Sequence, residues 1–334
     1  MISDIIWIFT AKCGLNCPHC YVKPRFSKLR ELSSSEKIRL VREAAEMNVE
    51  WIGLSGGEPL IHPDFKAIVR EASEHNMEVS VVTSGIMYMK ELLDVIRRHN
   101  VYVTVSLDGA TIKSHELVRG KDAWKKTVGF IEKLRLMSIE FSTVIAVNRF
   151  NYLEAGEYVE LSMELGSRCA CLIPTMKTGS AVSTGMYVTA PKYLEAIKKA
   201  EEKADELGFP VSLWCSPFAG LYVRSPYVKY GNCRFWDNVD IDPAGRILLC
   251  DTIDIVLAEY RGNLAEAVEE SLRNPINKLV EEVEDDICLK CRNYRFCRGG
   301  CFARAYMEYG DLRRPDPLCP VVFYSKRNYY INKK

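Results

Sequence analysis

The sequence predicts an α/β protein in which a partial (β/α)6 barrel of the TIM type is followed by a small cysteine-rich domain. Two observations lead to this prediction. Residues 1–208 alternate between short apolar runs and amphipathic helical patterns, as parallel sheets with helical crossovers do. Residues 209–334 lose that alternation and contain eight of the thirteen cysteines. We therefore expect one domain in each of these two ranges.

Six strands are predicted from runs rich in β-branched and aromatic residues, which suit strands buried on both faces of a parallel sheet. Six strand–helix units fall short of the eight that close a TIM barrel, so we expect a partial barrel. Functional residues are then expected just after the carboxyl ends of the strands. The predicted strands are Ile5–Phe9, Trp51–Leu54, Val79–Val82, Val101–Leu107, Phe141–Val147 and Cys169–Ile173.

Helices between the strands are predicted from apolar residues that recur every three or four positions. A run of serines before Glu36 predicts a capped helix start, and Pro191 predicts the first turn of a later helix. The apolar positions are Phe65, Ile68, Val69 and Ala72 in one helix, and Leu194, Ile197, Ala200, Ala204 and Leu207 in another.

The composition is that of an ordinary globular protein, with 48% hydrophobic and 27% charged residues in 334. A formal net charge of +1 gives no global field to attract nucleic acid or an anionic membrane. The apolar run Ile5–Phe9 is too short for a signal peptide, and no run approaches the roughly 20 residues of a transmembrane helix. We expect a cytoplasmic protein without nucleic-acid or membrane partners.

Thirteen cysteines are the unusual feature of the composition. Their number is odd and no export signal precedes them, which argues against a disulfide framework. Only five histidines are present, and they are scattered. All-thiolate sites suit iron–sulfur clusters or zinc, so metal ligation is the better explanation.

Cys13, Cys17 and Cys20 lie in the loop directly after the first predicted strand. Three thiolates can bind three irons of a cubane cluster and leave the fourth iron without a protein ligand. An open metal position allows a small molecule to bind there. From the spacing alone, a zinc site or a cluster with a fourth thiolate from elsewhere stays equally open.

Ligand-type motifs follow the later strands. The Cys-x3-Cys-x2-Cys loop, the segment from Ser55 to Pro59 and the motifs after the third to fifth strands together resemble the radical S-adenosylmethionine (SAM) superfamily. Gly-Gly or Asp-Gly alone is more often just a turn, but their joint placement at successive strand ends is specific. The resemblance implies that SAM is bound by His19, Ser55, Gly56, Gly57, Glu58, Thr83, Ser84, Ser106, Asp108 and Asn148.

The resemblance also implies a mechanism. One electron from the reduced 4Fe-4S cluster cleaves SAM into methionine and a 5′-deoxyadenosyl radical, which abstracts hydrogen from a substrate carbon. The cofactor supplies the difficult chemistry, while the protein orients it and excludes water.

The seven cysteines from Cys233 to Cys319 resemble the seven-cysteine pattern of SPASM domains, which hold two auxiliary 4Fe-4S clusters, so the resemblance implies three clusters in all. A zinc ribbon is the alternative. By analogy Cys233, Cys250 and Cys301 hold the first auxiliary cluster, with Cys215 the candidate fourth ligand or else a buried thiol. The same analogy gives the second cluster four ligands: Cys288, Cys291, Cys297 and Cys319. Cys169 and Cys171 are expected on one face of the sixth strand, packed in the core.

The resemblance implies an enzyme that modifies a peptide or protein, supplied with electrons by a flavodoxin or ferredoxin. A tetrapyrrole or other small-molecule substrate is the alternative, and a non-catalytic electron carrier is the alternative of another class. The strand-end motifs argue against a carrier, because a carrier has no need of a SAM site. No general base is predicted; Tyr21, Asp237 and Asp316 are near cysteines, but turn or surface roles are the expectation for each.

Overall fold

A computed structural model describes residues 2–235, 237–281 and 283–331, with side chains described as far as residue 325. Within these residues, one sheet of eleven strands runs through the molecule. The strands are β1 (Asp4–Thr10), β2 (Trp51–Gly56), β3 (Glu78–Thr83), β4 (Tyr102–Ser106), β5 (Phe141–Val147), β6 (Ala170–Pro174), β7 (Val211–Leu213), β8 (Val228–Tyr230), β9 (Asn238–Ile241), β10 (Arg246–Leu248) and β11 (Val256–Glu259).

Helices connect the strands and cover the sheet. In the described part of the chain they are α1 (Lys23–Phe26), α2 (Ser34–Glu46), α3 (Phe65–Glu74), α4 (Leu92–Arg98), α5 (Ile112–Arg119), α6 (Ala123–Leu136), α7 (Ala155–Glu164), α8 (Ser180–Thr184), α9 (Ala190–Leu207), α10 (Leu264–Arg273), α11 (Ile276–Glu281), α12 (Asp286–Leu289), α13 (Tyr294–Cys297), α14 (Phe302–Tyr309) and α15 (Pro320–Ile331). In those same ranges, no helix combines the length and the apolar character needed to cross a membrane.

The strand order is β11-β10-β9-β1-β2-β3-β4-β5-β6-β7-β8. Neighbouring strands from β1 to β8 are parallel, as predicted for a partial barrel, and all six predicted strands are present with ends within two residues of the prediction. The parallel arrangement continues beyond residue 208 into β7 and β8. At the other edge β9 pairs in parallel with β1, and β10 and β11 follow antiparallel.

The core lies between the sheet and its covering helices. One apolar cluster packs Trp7 and Phe9 of β1 against α2 and α3, and another packs Ile145 of β5 against α7 and α9. The predicted apolar stripe of α3 is fully buried. In α9 the predicted positions Ile197, Ala200 and Ala204 are buried, whereas Leu194 and Leu207 are only half-buried. At the start of the helix Tyr193 is buried instead of Leu194, and its hydroxyl shares a 2.7 Å hydrogen bond with that of Ser216.

Helix starts agree with the sequence signals. Ser33 caps α2: its hydroxyl accepts a hydrogen bond from the Glu36 amide, and the Glu36 carboxylate accepts one from the Ser33 amide. This reciprocal pair satisfies two amides that a helix start otherwise leaves without partners. Pro191 occupies the first turn of α9, where its missing N–H costs nothing. These local signals fix where each helix begins relative to its strand.

Candidate functional site

The loop after β1 carries Cys13, Cys17 and Cys20. The Cys20 amide donates to the Cys17 carbonyl at 3.0 Å, which folds the loop back on itself. The amide of Leu15 donates to the Cys13 sulfur at 3.4 Å, and the amide of Lys23 donates to the Cys20 sulfur at 3.3 Å. The three sulfurs are close enough to interact electrostatically, and burial is the main reason that the pKa values of Cys13 and Cys17 are raised.

Gly56 and Gly57 bring the end of β2 against the start of this loop. The Gly57 amide donates to the Thr10 carbonyl at 2.7 Å, and the Glu58 amide donates to the Lys12 carbonyl at 2.9 Å. A Cβ atom at Gly56 would collide with the Thr10 carbonyl oxygen, and one at Gly57 would collide with that of Lys12. Gly56 also has a φ of +124°, which disfavours other residues. The two glycines therefore fix the cysteine loop to the sheet.

Glu58 ties the ends of β2 and β3 together. Its side chain is fully buried, and its carboxylate accepts four hydrogen bonds: from the Thr83 hydroxyl at 2.6 Å, from the Ser84 amide and hydroxyl at 3.0 and 2.6 Å, and from the Leu60 amide at 3.2 Å. Direct contact of these side chains with SAM stays a prediction. Their contacts here show that they position the two strand ends beside the cysteine loop.

Asp108, predicted at the end of β4, reaches the cysteines through Arg119. The fully buried Asp108 carboxylate accepts from the Arg119 guanidinium at 2.5 Å and from the Ala146 amide at 2.7 Å. Another guanidinium nitrogen of Arg119 lies 4.0 Å from the Cys17 sulfur. Burial opposes both charges, yet their attraction lowers the pKa of Asp108 and raises that of Arg119. Arg119 thus holds a positive charge beside the thiols, and no local sequence signal identified it.

The remaining predicted SAM-binding residues lie around the same strand ends. Ser106 and Asn148 are buried, and the Asn148 side chain is used within its own turn, accepting from the Phe150 amide and donating to the Ala146 carbonyl. Burial lowers the pKa of His19 to about 4, and its Nδ1 is a buried atom without a hydrogen-bond partner among the described residues. Ser55 interacts with the hydroxyl of Tyr21.

Tyr21 connects the first cysteine loop to the C-terminal cysteines. Its hydroxyl donates to the Asp251 carboxylate at 2.8 Å, and Asp251 directly follows Cys250. The Asp251 amide in turn donates to the Asp240 carboxylate at 2.7 Å. Burial and their mutual repulsion raise the pKa of Asp240 well above its usual value. Tyr21 directly follows Cys20, as Asp251 follows Cys250. The hydrogen bond between Tyr21 and Asp251 therefore links the loop of the first cysteine group to a cysteine of the C-terminal region.

The last eight cysteines fall into two groups of four. In the first group, Cys301 interacts electrostatically with each of Cys215, Cys233 and Cys250. In the second group, Cys319 and Cys291 interact with each other and with Cys288 and Cys297. Burial is the first cause of the raised pKa values in both groups. The analogy predicts the same division, with Cys215 as the candidate fourth ligand of the first group, and the ligand roles stay a prediction. None of the thirteen cysteines, all within the described residues, forms a disulfide.

Asp316 joins the two groups. Its fully buried carboxylate accepts from the amides of Cys301 and Leu318 at 3.0 and 2.9 Å and pairs with the Arg304 guanidinium at 2.9 and 2.5 Å. Arg304 also donates to the Cys215 carbonyl at 2.6 Å. Asp316 is therefore a structural centre rather than an exposed residue, and all its contacts argue against a role as general base.

Cys169 and Cys171 lie at the amino end of β6, away from the strand ends that carry the site. Cys171 is buried, and a hydrogen bond links the two thiols. The two share one face of the strand as predicted, and neither belongs to the cysteine groups described above.

Comparison with protein families and curated proteins agrees with this geometry. Residues 7–161 match the model of the radical SAM superfamily. The chain is 26% identical to the AdoMet-dependent heme synthase of Methanosarcina barkeri, over 94% of this chain and 95% of that protein. It is 26% identical to the mycofactocin maturase MftC of Mycolicibacterium smegmatis, over 94% of this chain and 82% of that protein. It is 24% identical to the PqqA peptide cyclase of Gluconobacter oxydans, over 95% of this chain and 90% of that protein.

Solved structures share the fold at lower identity. SuiB of Streptococcus suis, in a crystal structure with S-adenosylmethionine, has a TM-score of 0.76 and 13% identity, over 96% of this chain and 77% of that one. The structure of anSMEcpe with bound AdoMet has a TM-score of 0.77 and 16% identity, over 96% of this chain and 94% of that one. Both likenesses extend across the barrel and the cysteine-rich region of this chain.

Proposed function

The chain belongs to the radical SAM superfamily, and from that premise we propose that it is a three-cluster enzyme that modifies a peptide. The observation that carries the proposal is the position of Cys13, Cys17 and Cys20 after β1, fixed to the ends of β2 and β3. Three thiolates suit three irons of a 4Fe-4S cluster and leave one iron to bind SAM. When bound, that cluster and SAM supply a 5′-deoxyadenosyl radical.

The residues around the three cysteines fit such a site. The amides of Leu15 and Lys23 already donate to sulfur atoms, as groups that stabilise thiolates do. Arg119, whose charge is balanced by Asp108, brings a guanidinium N–H within 4.0 Å of the Cys17 sulfur and acts against the effect of burial on the pKa of that thiol. The buried, unpartnered Nδ1 of His19 lies in the same loop and remains available for a ligand.

Two auxiliary 4Fe-4S clusters are proposed for the two groups of four cysteines. Support comes from the interactions among the thiols, which divide them into two sets, each offering the four sulfurs that a closed cluster needs. Asp316 and Arg304 would hold the two sets at a fixed separation. The clusters would accept electrons from the substrate, which suits oxidative bond formation.

A peptide substrate is proposed because several relatives have names that describe peptide modification. The mycofactocin maturase and the PqqA peptide cyclase align with nearly the whole of this chain, and SuiB has been crystallised with its precursor peptide SuiA. A second candidate is a tetrapyrrole, favoured by the heme synthase relative, which matches over 95% of its own length.

An external one-electron donor of the flavodoxin or ferredoxin type is proposed to reduce the first cluster. A cavity of 660 Å³ opens beside Cys13 and would give such a donor access to the first cysteine loop. Its lining carries both signs of charge, since Lys12 pairs with Glu31 and the buried Lys37 pairs with Asp64. The support for a donor here is therefore the access to Cys13 and not a basic surface.

The proposal is tested by anaerobic reconstitution followed by reduction in the presence of SAM. We expect formation of 5′-deoxyadenosine and about twelve irons and twelve sulfides per chain, four of each for every cubane. The Cys17→Ala variant should form no 5′-deoxyadenosine and retain about eight irons. Absence of 5′-deoxyadenosine from the intact protein, with peptides or porphyrins supplied, would overturn the enzyme assignment. About four irons with bound zinc would overturn the auxiliary clusters.

A further inference from the structure

A cavity of 520 Å³ lies at the carboxyl end of β6, on the same side of the sheet as the site described above. It is bordered by the segment after β6, the start of α9, α14, and the chain from Pro317 into α15. Its walls are largely apolar, with Val188, Met307 and Leu318 among them. An ion pair of 3.2 Å between Lys177 and Glu308 lies at the rim, and both of these side chains are about half exposed.

Two residues of this cavity carry polar atoms that the protein does not satisfy. Thr175 is 6% exposed, and its Oγ1 has no hydrogen-bond partner among the described residues. Arg304 is 3% exposed, and within the same described residues its Nη1 has none either. A buried polar group left without a partner costs about 1–3 kcal/mol. Two such groups lining one cavity therefore point to a ligand that supplies an acceptor.

The other nitrogen atoms of the Arg304 guanidinium hold the group in place. Its Nε and Nη2 are bonded to the Asp316 carboxylate, and Nη2 also donates to the Cys215 carbonyl. Only Nη1 is left to donate elsewhere. The Thr175 backbone is fixed on both sides, since its amide donates to the Val147 carbonyl at 2.8 Å and its carbonyl accepts from the Val188 amide at 3.2 Å.

The charges at the cavity favour a neutral acceptor. Asp316 already neutralises Arg304, and Glu308 neutralises Lys177, so a carboxylate would bring an uncompensated charge into an apolar space. Burying an unpaired charge costs several kcal/mol, whereas an amide carbonyl accepts two hydrogen bonds without that cost. We propose that this cavity binds an apolar residue of the substrate peptide, whose amide carbonyl accepts hydrogen bonds from Arg304 and Thr175.

This inference rests on the proposed peptide substrate and gives it an anchoring site behind the loop that follows β6. It also separates the two candidate substrates, because the carboxylates of a porphyrin are poorly suited to a neutral site. Apolar walls would bind the side chain, and the two donors would fix the direction of the main chain. The reacting residue of the peptide would then lie toward the cysteines and away from this cavity.

The test is an anaerobic, ligand-observed NMR titration of the reconstituted holoprotein. The probes are N-acetyl-phenylalanine methylamide, which carries amide carbonyls, and 3-phenylpropionate, which carries a carboxylate on a similar apolar group. We expect the amide to bind and Thr175→Val to weaken it about five- to tenfold, the loss of one buried hydrogen bond. Thr189→Val is the matched control, because this threonine lines the same cavity but is exposed, and it should change the affinity less than about twofold.

Arg304→Lys removes Nη1 while keeping a cation beside Asp316 and should weaken the amide by a similar factor. If that variant fails to fold, Thr175→Val alone decides the matter. Preferential binding of 3-phenylpropionate, or amide binding that Thr175→Val leaves unchanged, would overturn the proposal. Formation of 5′-deoxyadenosine by the same preparation reports the proposed function separately, so the failure of one is distinguishable from the failure of the other.

Discussion

Cys13, Cys17 and Cys20 follow a seven-residue strand that is paired on both sides, with Trp7 and Phe9 packed in the main apolar core. The eight later cysteines lie beside strands of three or four residues and helices as short as four. There the cysteines are themselves part of the core, since Cys288, Cys297 and Cys319 pack into an apolar cluster.

The difference concerns what determines the position of a ligand. In the first region the sheet would place the loop whether or not iron is bound. In the second, the protein contributes few long elements, and the pair of Asp316 and Arg304 is a buried polar connection between the two cysteine groups. Small regions of this kind commonly obtain their folding free energy from the metal. The contrast predicts that the two regions respond differently to the loss of iron.

Removal of iron should have the largest effect. After anaerobic chelation, we expect amide hydrogen-exchange protection to fall about 100-fold or more in residues 285–320, because the metal contributes to folding there. Strands β1 to β5 should lose less than about threefold. The measurement is hydrogen exchange by mass spectrometry on matched holo and apo samples. An equal loss in both regions would show that the sheet also depends on iron.

Replacement of Cys215 tests whether it belongs to the first group. Cys215→Ala should lower the iron content from about twelve to about eight per chain if the cluster is lost entirely. Cys171→Ala is the control, because this buried thiol lies outside both groups and should leave about twelve irons. Iron and sulfide analysis with electron paramagnetic resonance checks the result. Full retention of the iron by Cys215→Ala would show that three cysteines suffice for that cluster.

Asp316→Asn should destabilise the second region by about 3–5 kcal/mol, because it leaves the Arg304 guanidinium buried without its partner. The exposed pair of Arg273 and Glu269 provides the control, and Glu269→Gln should cost less than about 1 kcal/mol. Urea unfolding of the holoprotein, followed by cluster absorbance, measures both. A cost for Asp316→Asn no greater than that of the control would mean that the ion pair does not hold the two groups together.

Glu58→Gln is expected to have the smallest effect, about 1–3 kcal/mol, because an amide retains one acceptor oxygen while the other position becomes a donor facing Ser84. The rest of the sheet holds the loop in place. Glu78→Gln, an exposed change at the start of β3, should cost less than about 0.5 kcal/mol. Urea unfolding followed by far-ultraviolet circular dichroism measures the difference, and equal midpoints for the two variants would contradict a positioning role for Glu58.

The strands were predictable because strands of a covered parallel sheet are rich in apolar, aromatic and β-branched residues, and β1 to β6 each have such a run. β7 and β8 were not, because three-residue strands leave no periodicity to detect. The cysteine spacing located the site. Arg119 contacts Cys17 although 102 positions separate them, and Tyr21 contacts Asp251 although 230 positions separate them. Such contacts depend on which helix end or loop the fold brings near the cysteines, and a single sequence carries no signal for that.

The pairing of β1 with β9 also bears on how the chain is made. β2 pairs with one edge of β1, but the other edge pairs with β9, residues 238–241, which are synthesised more than 220 positions later. At ribosomal rates of about 5–20 residues per second, that edge stays open for on the order of tens of seconds. An open, apolar strand edge next to three unliganded thiols is a site for mispairing and oxidation. Synthesis of this protein should therefore benefit from a chaperone that covers nascent strands.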